Sequence, residues 1–64
     1  MTKFTTIERT GRDTGKHFWR HDGHTLEHHR QGNPWRIVDD NVTDPATHIR
    51  LSGHRIISTE GTTN

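Results

Sequence analysis

The dipeptide Asp22-Gly23 lies in the middle of HFWRHDGHTLEHHR, residues 17–30, which holds five of the seven histidines of the chain. An Asp-Gly pair between alternating residues is one of the strongest short-range signals for a β-hairpin. A helix would place four of these histidines on one face, because they are spaced by steps of four, three and four. That helix would have no apolar stripe and would carry a central glycine, at a cost of about 1 kcal/mol relative to alanine. The segment therefore predicts a hairpin.

A two-residue loop at Asp22-Gly23 determines which residues of this hairpin lie opposite each other. It pairs Trp19 with Leu26 on one face of the sheet, because residues directly opposite each other share a face. The same face would carry two cross-strand histidine pairs, which are His17 with His28 and His21 with His24. We therefore predict an aromatic and aliphatic centre with histidines along its edges.

The next strand extends this predicted core. A four-residue loop after Arg30 would pair His28 with Ile37 and place Trp35 on the same face as Trp19. A shift of one residue would move the whole strand to the opposite face, so the prediction depends on this loop length. The predicted core residues are Trp19, Leu26, Trp35 and Ile37.

Short runs rich in threonine, valine, isoleucine and aromatic residues, separated by glycine and asparagine, are typical of a small antiparallel sheet. The predicted strands are residues 3–10, 16–21, 24–30 and 35–39, followed by a second hairpin over residues 48–57 about Ser52-Gly53. A helix is the alternative for residues 44–53, with Asp44 as its N-cap, Pro45 at its first position and Gly53 at its end. The alternation of apolar Ile49 and Leu51 with polar residues favours a strand.

The composition is that of a small domain with little apolar material. At 64 residues, 23% hydrophobic and without cysteine, the chain has room for one domain and cannot form a disulfide. A chain of this size buries about 60% of its unfolded surface, so a bound metal or partner would help to stabilise it. We predict an all-β domain over residues 1–57, a single antiparallel sheet of four or five strands with at most one helical turn after Asp44. Residues 58–64 are predicted to be a flexible tail.

The histidine pairs raise the question of a metal site. His17 and His21 would lie about 13 Å apart along their strand, so one ion could not reach both pairs. Zinc sites need about three or four protein ligands, and each pair supplies two. We therefore predict no cofactor and half-buried imidazoles with lowered pKa values. The only candidate metal ligands are His17, His28, His21 and His24.

Two arginines would lie opposite each other in the predicted hairpin about Ser52-Gly53. The pairing of Arg50 with Arg55 would destabilise the sheet by about a few tenths of a kcal/mol, because like charges that lie directly opposite each other repel. Carboxylate or phosphate groups of a partner would relieve this repulsion. The predicted partner-binding residues are Arg50, Arg55, His48, Arg20 and Arg36.

Charge and motifs narrow the class of function. The formal net charge is only +1, whereas a dedicated nucleic-acid binder presents a strongly basic surface. The sequence has no nucleophile elbow, phosphate loop or paired-carboxylate motif, and no apolar segment typical of a membrane span or a secretion signal. We therefore expect a cytoplasmic, non-enzymatic interaction module, an adaptor or inhibitor of the kind that phages also encode. It would dock on an acidic surface of a larger protein.

Two alternatives remain open from the sequence. A small sheet can bind nucleic acid, with Arg20, Arg36, Arg50 and Arg55 as phosphate contacts. The histidines could instead form a metal-binding or pH-sensing site. A complex that survives both nuclease and chelator would indicate a protein partner.

Overall fold

The computed structural model describes residues 1–11 and 15–61, which form one antiparallel sheet and one short helix. The strands are β1 (Thr2–Glu8), β2 (His17–His21), β3 (Leu26–Arg30), β4 (Arg36–Asp39) and β5 (His54–Gly61), and the helix is α1 (Pro45–Leu51). The order across the sheet is β4-β3-β2-β1-β5. The predicted small all-β fold built on a single antiparallel sheet is confirmed.

The β2–β3 hairpin forms around Asp22-Gly23 as predicted, but its loop has four residues instead of two. Trp19 lies opposite His28 and not opposite Leu26, a register shift of two residues. The Asp22 carboxylate stabilises the wider loop, because it accepts hydrogen bonds of 2.9 and 2.7 Å from the two backbone N–H groups at positions 24 and 25. A shift of two residues keeps every side chain on its predicted face. Trp19 and Leu26 are therefore both buried in the core.

Gly23 provides a direct test of this loop, because its backbone φ of 103° is one that L side chains rarely adopt. A Cβ at this position would meet no atom within 4 Å, so backbone strain alone determines the effect. We expect Gly23→Val to lower the free energy of unfolding by about 1–3 kcal/mol in urea denaturation. The control is Gly61→Val, at a glycine that has equal space but no positive φ. Equal stability of the two variants would contradict this loop.

The β3–β4 connection differs from the prediction by one residue, because its loop spans five residues, 31–35. His28 lies opposite Arg36, and Glu27 lies opposite Ile37. A one-residue shift exchanges the two faces of a strand, so Ile37 is 64% exposed. The predicted core position of Trp35 is also wrong, because Trp35 is only half-buried and is absent from the buried core cluster.

The first turn of this loop explains its length. The Asn33 N–H donates a 2.8 Å hydrogen bond to the Arg30 carbonyl, and Gly32 has a φ of 88°. A glycine with positive φ at the third position is typical of a type II β-turn. The turn therefore occupies residues 30–33 and leaves further residues before β4 begins.

Residues 45–51 form α1 with Asp44 as its N-cap, so the predicted hairpin about Ser52-Gly53 is wrong. The Asp44 carboxylate accepts hydrogen bonds from the Thr47 N–H at 3.3 Å and from its hydroxyl at 2.7 Å. Pro45 occupies the first turn, where its missing N–H has no cost. Gly53, with a φ of 87°, then turns the chain into β5. The capping residues identified as the helical alternative thus determine the structure here.

The alternation of Ile49 and Leu51 that favoured a strand has no structural counterpart. Ile49 is fully buried in the core, whereas Leu51 is 83% exposed. On a helix, the side chains of residues i and i+2 point in different directions, so one can be buried while the other is in solvent. A further difference concerns residues 58–61, predicted as part of a flexible tail, which continue β5 to Gly61. Residues 62–64 lie outside the described residues.

The core lies on one face of the sheet, beneath α1 and the segment that precedes it. Its buried apolar residues are Phe4, Trp19, Leu26, Val42 and Ile49. The opposite face of β2 and β3 carries Phe18, Arg20, Glu27 and His29; we call it the open face.

In the part of the chain that the structure describes, no helix has the length and apolar character needed to cross a bilayer.

Candidate functional site

A cleft of about 380 Å³ lies where β2 begins, β3 ends and β4 starts. We call it the cationic cleft, and its lining residues are His17, His28, Arg30, Asn33, Pro34 and Arg36. Strand register brings them together, because His17 lies opposite Arg30 and His28 lies opposite Arg36. All four therefore project from the same face of the sheet. None of these described lining residues is an aspartate or a glutamate.

Two histidines of the cleft are hydrogen-bonded to each other. His17 Nδ1 and His28 Nε2 are 2.9 Å apart, and the two rings are stacked with their centroids 5.1 Å apart. These residues were predicted to be a cross-strand pair, and their contact is confirmed although the register differs. They lie diagonally, because His17 is directly opposite Arg30. Only one imidazole of the pair can supply the proton of this hydrogen bond.

A third histidine contacts this pair on the same face of the sheet, from the strand on the far side of β1. His54 on β5 contacts His17 edge to face, with ring centroids 4.7 Å apart. Its Nδ1 lies 3.0 Å from the Thr6 hydroxyl, which also accepts a 2.8 Å hydrogen bond from the indole N–H of Trp19. Trp19 in turn contacts His28, with centroids 4.5 Å apart. The three imidazoles thus pack against one another, and those of His28 and His54 also pack against the core residue Trp19.

This surrounding disfavours a positive charge on His28. Partial burial of the ring, followed by the charges that His17, His54, Arg36 and His29 can carry, lowers the pKa of His28 from 6.5 to about 4. For His28, the direction agrees with the lowered pKa expected of an imidazole packed beside Trp19. His28 is therefore neutral at pH 7, and the fixed positive charge of the cleft comes from its arginines.

The second predicted histidine pair, His21 with His24, does not form. His21 is buried and its Nε2–H donates a 2.7 Å hydrogen bond to the Val42 carbonyl, whereas His24 is exposed in the β2–β3 loop. Among residues 1–11 and 15–61, no group of three or more histidine or acidic side chains is arranged to hold a metal ion. These two histidines thus have different surroundings, and His21 is used to attach the segment before α1 to the sheet.

Arg20, a predicted partner-binding residue, lies on the open face and is bound within the protein. Its Nε and Nη2 donate hydrogen bonds of 2.9 and 3.1 Å to the two carboxylate oxygens of Glu27. This bidentate contact raises the pKa of Arg20 and lowers that of Glu27. The Arg20 guanidinium also lies 4.1 Å from the ring centroid of Trp35. The structure therefore separates Arg20 from the cationic cleft.

The other predicted partner-binding residues do not converge. Arg50 is exposed on α1, and Arg55 is exposed on β5 opposite Ile7. They are not a cross-strand pair, so the predicted repulsion between them does not arise, and the anion site inferred from it is not supported. His48 is half-buried on α1. Of the five predicted partner-binding residues, Arg36 is the one that lines the cationic cleft.

Sequence reasoning missed three residues near this site: Arg30, Asn33 and His54. Arg30 and Asn33 are the first and last residues of the turn that contains Gly32. A prediction with a five-residue loop at this glycine would have placed Arg30 and Arg36 on one face of the hairpin. His54 carries no local signal, because its contacts with Thr6 and His17 depend on the pairing of β5 with β1.

Comparisons with protein-family models, with curated proteins and with solved structures find no match for this chain, so its function must be inferred from the geometry of the cleft.

Proposed function

We propose that this protein is a non-enzymatic binding module that docks on an acidic surface of a larger protein through the cationic cleft. The observation that supports the proposal is the lining itself, which combines two arginines and two imidazoles with no described carboxylate. Arginine forms charge-assisted hydrogen bonds with carboxylates, so acidic side chains of a partner would match this lining.

Arg36 is the residue on which this proposal depends most. It is exposed on the edge strand β4, so a partner can reach it directly. Its guanidinium can bind a carboxylate through two parallel hydrogen bonds, which lysine cannot do. Arginines that become desolvated at an interface are frequent hot spots, and their loss can cost about 2 kcal/mol or more of binding free energy.

Capture experiments with immobilised protein test the proposal. We expect nuclease-treated cell lysate to yield a protein that binds wild type, is released by poly-glutamate, and binds Arg36→Ala about 30-fold more weakly. Arg50→Ala is the matched control, because it removes the same charge from an exposed position on α1 and should bind like wild type. Equal capture by all three proteins would contradict the role of the cleft. Loss of the captured protein on nuclease treatment would favour nucleic-acid binding instead.

Nucleic-acid binding remains the second candidate because of the aromatic rings on the open face. His29 contacts both Phe18 and Trp35, with ring centroids 5.9 and 5.0 Å apart. Aromatic rings on a sheet can stack with the bases of a single strand. The charges there are nearly balanced, since Arg20 is neutralised by Glu27. Binding through this face would be unaffected by Arg36→Ala, which distinguishes it from binding through the cleft.

A further inference from the structure

We propose that the open face is the interface of a weak, two-fold symmetric homodimer in which the sheets of two copies pack face to face. This inference goes beyond the proposed function, because the residues of the cationic cleft project from the other face of the sheet. It is derived from the exposed apolar side chains of the open face, from the order of its charges, and from the hydrogen-bonding capacity of the Arg20–Glu27 pair.

The open face carries apolar side chains where an antiparallel sheet that faces water usually has polar ones. Phe18, His29 and Trp35 form a continuous aromatic cluster, with successive ring centroids 5.9 and 5.0 Å apart. Ile37 lies opposite Glu27 and therefore on the same face, and it is 64% exposed. Beside the cluster, a depression of about 530 Å³ gives the face room for side chains that interdigitate. An exposed face of this kind is typical of an interaction site.

The strand register makes the order of side chains on this face complementary to itself. Phe18 lies opposite His29, and Arg20 lies opposite Glu27. A two-fold axis parallel to the strands, above the boundary between β2 and β3, places β2 of one copy over β3 of the other. Arg20 then faces Glu27 of the second copy, and Phe18 faces His29 of the second copy. Facing sheets keep their strands within about 30° of each other, so these positions remain neighbours, and opposite charges meet twice.

The Arg20–Glu27 pair has unused hydrogen-bonding capacity for this contact. Arg20 has five N–H groups, and two of them donate to the Glu27 carboxylate oxygens at 2.9 and 3.1 Å. Three N–H groups remain, and each oxygen of Glu27 can accept a further hydrogen bond. The guanidinium is also held 4.1 Å from the ring centroid of Trp35, so its ordering costs little entropy when a second copy binds. The two pairs of a dimer thus form a ring of four alternating charges.

A single strand of nucleic acid matches this face less well than a second copy does. Glu27 and Glu60 both lie on it, because each is opposite a basic residue of that face, Arg20 and Lys3 respectively. A phosphate backbone laid across the aromatic cluster would pass these carboxylates, whereas binding of a polyanion depends on basic side chains that neutralise it. A second copy instead brings an arginine to Glu27.

The size of the face predicts the strength of the dimer. The two-fold axis overlaps the four strands β1 to β4, which with about five residues each cover roughly 19 by 17 Å. With side-chain relief, the two faces would bury on the order of 1,000 Å² in total, which is typical of weak, transient complexes. We therefore expect a Kd of about 10–100 µM.

Sedimentation equilibrium of the full chain at about 0.15 M salt tests the inference. We expect a monomer–dimer equilibrium between about 5 and 500 µM protein. Ile37→Lys should raise the Kd at least about tenfold, because the new ammonium group would face Lys3 of the second copy. Leu51→Lys is the matched control, since it makes a similar change at a side chain of α1 that is 83% exposed, and it should dimerise like wild type. The amide NMR spectrum of each variant reports whether the fold is intact.

Charge reversal tests the position of the two-fold axis. Arg20→Glu and Glu27→Arg should each be monomeric, because either change places like charges against each other across the interface. An equimolar mixture of the two variants should form a heterodimer, since all the facing charges are then opposite. An exposed ion pair contributes only about 0–1 kcal/mol to stability, so both variants should fold.

A wild type that stays monomeric at about 500 µM would overturn the inference, as would an Ile37→Lys variant that dimerises like wild type. A mixture of the charge-reversal variants that stays monomeric would overturn the packing of the open faces about this axis. A single-stranded oligonucleotide that converts the dimer into a monomeric complex would overturn it in favour of a stacking surface for bases. These outcomes are independent of the cationic cleft, because Arg36→Ala should dimerise like wild type whether or not it captures an acidic protein.

Discussion

Leu26→Ala is expected to leave a large fraction of the protein molecules unfolded at 25 °C. Leu26 is fully buried at the centre of the core, and replacing such a leucine by alanine costs about 2–5 kcal/mol. A single core of this size supplies a total stability of only about 3–5 kcal/mol, so the substitution removes most of it. Urea denaturation followed by circular dichroism would measure the loss, and a thermal melt should shift downward by at least about 10 °C.

Leu51→Ala is a matched control for this experiment because it makes the same chemical change. Leu51 is 83% exposed at the end of α1. Its replacement should alter the free energy of unfolding by no more than about 0.5 kcal/mol. If the two variants were equally stable, the packing of the sheet against α1 would be wrong.

Acidification between pH 7 and pH 5 is expected to destabilise the protein through His28. The pKa of His28 is lowered from 6.5 to about 4 in the folded state. A lowered folded-state pKa means that stability is fully present above the unfolded value and is lost as the pH falls toward the folded value. Because the ring is partly exposed, we discount the full shift for solvent screening and expect a loss of about 1 kcal/mol between pH 7 and pH 5.

The pH window separates this effect from that of the carboxylates. Hydrogen bonds lower the pKa values of Asp22, Glu27 and Asp44, so their contributions are lost only as the pH falls below about 4.5. His28→Asn should flatten the dependence of unfolding free energy on pH between 7 and 5. His24→Asn makes the same change at an exposed loop position and should leave the slope as in wild type. A wild-type slope of zero across this window would contradict the burial of His28.

The accuracy of the predicted core depended on whether each strand register was wrong by an even or an odd number of residues. The β2–β3 hairpin was predicted with an error of two residues, which left Trp19 and Leu26 on the correct face. The β3–β4 hairpin was predicted with an error of one residue, which placed Ile37 in the core when it is 64% exposed. Both errors arose in loops, where the Asp22 carboxylate and the turn at Gly32 set the number of residues. Strand patterns alone carry no information about those local hydrogen bonds.

The helix and the cleft were harder to predict for different physical reasons. For residues 44–51, the capping signals at Asp44 and Pro45 and the alternation of apolar residues gave opposite indications, and the structure follows the capping signals. For the cleft, the contact of His17 with His28 was predictable from the hairpin. The contribution of His54 was not, because it comes from a strand distant in sequence.

The position of β1 in the sheet has a consequence for how the protein is made. Although β1 is the first strand of the chain, it lies inside the sheet, and Thr2 pairs with Gly61 on β5. Closure of this seam joins distant parts of the chain, a type of pairing that slows folding. A ribosome adds about 5–20 residues per second, so one hydrogen-bonding edge of β1 stays unpaired for some seconds during synthesis. Until β5 emerges, the nascent chain exposes a template on which neighbouring nascent strands can associate.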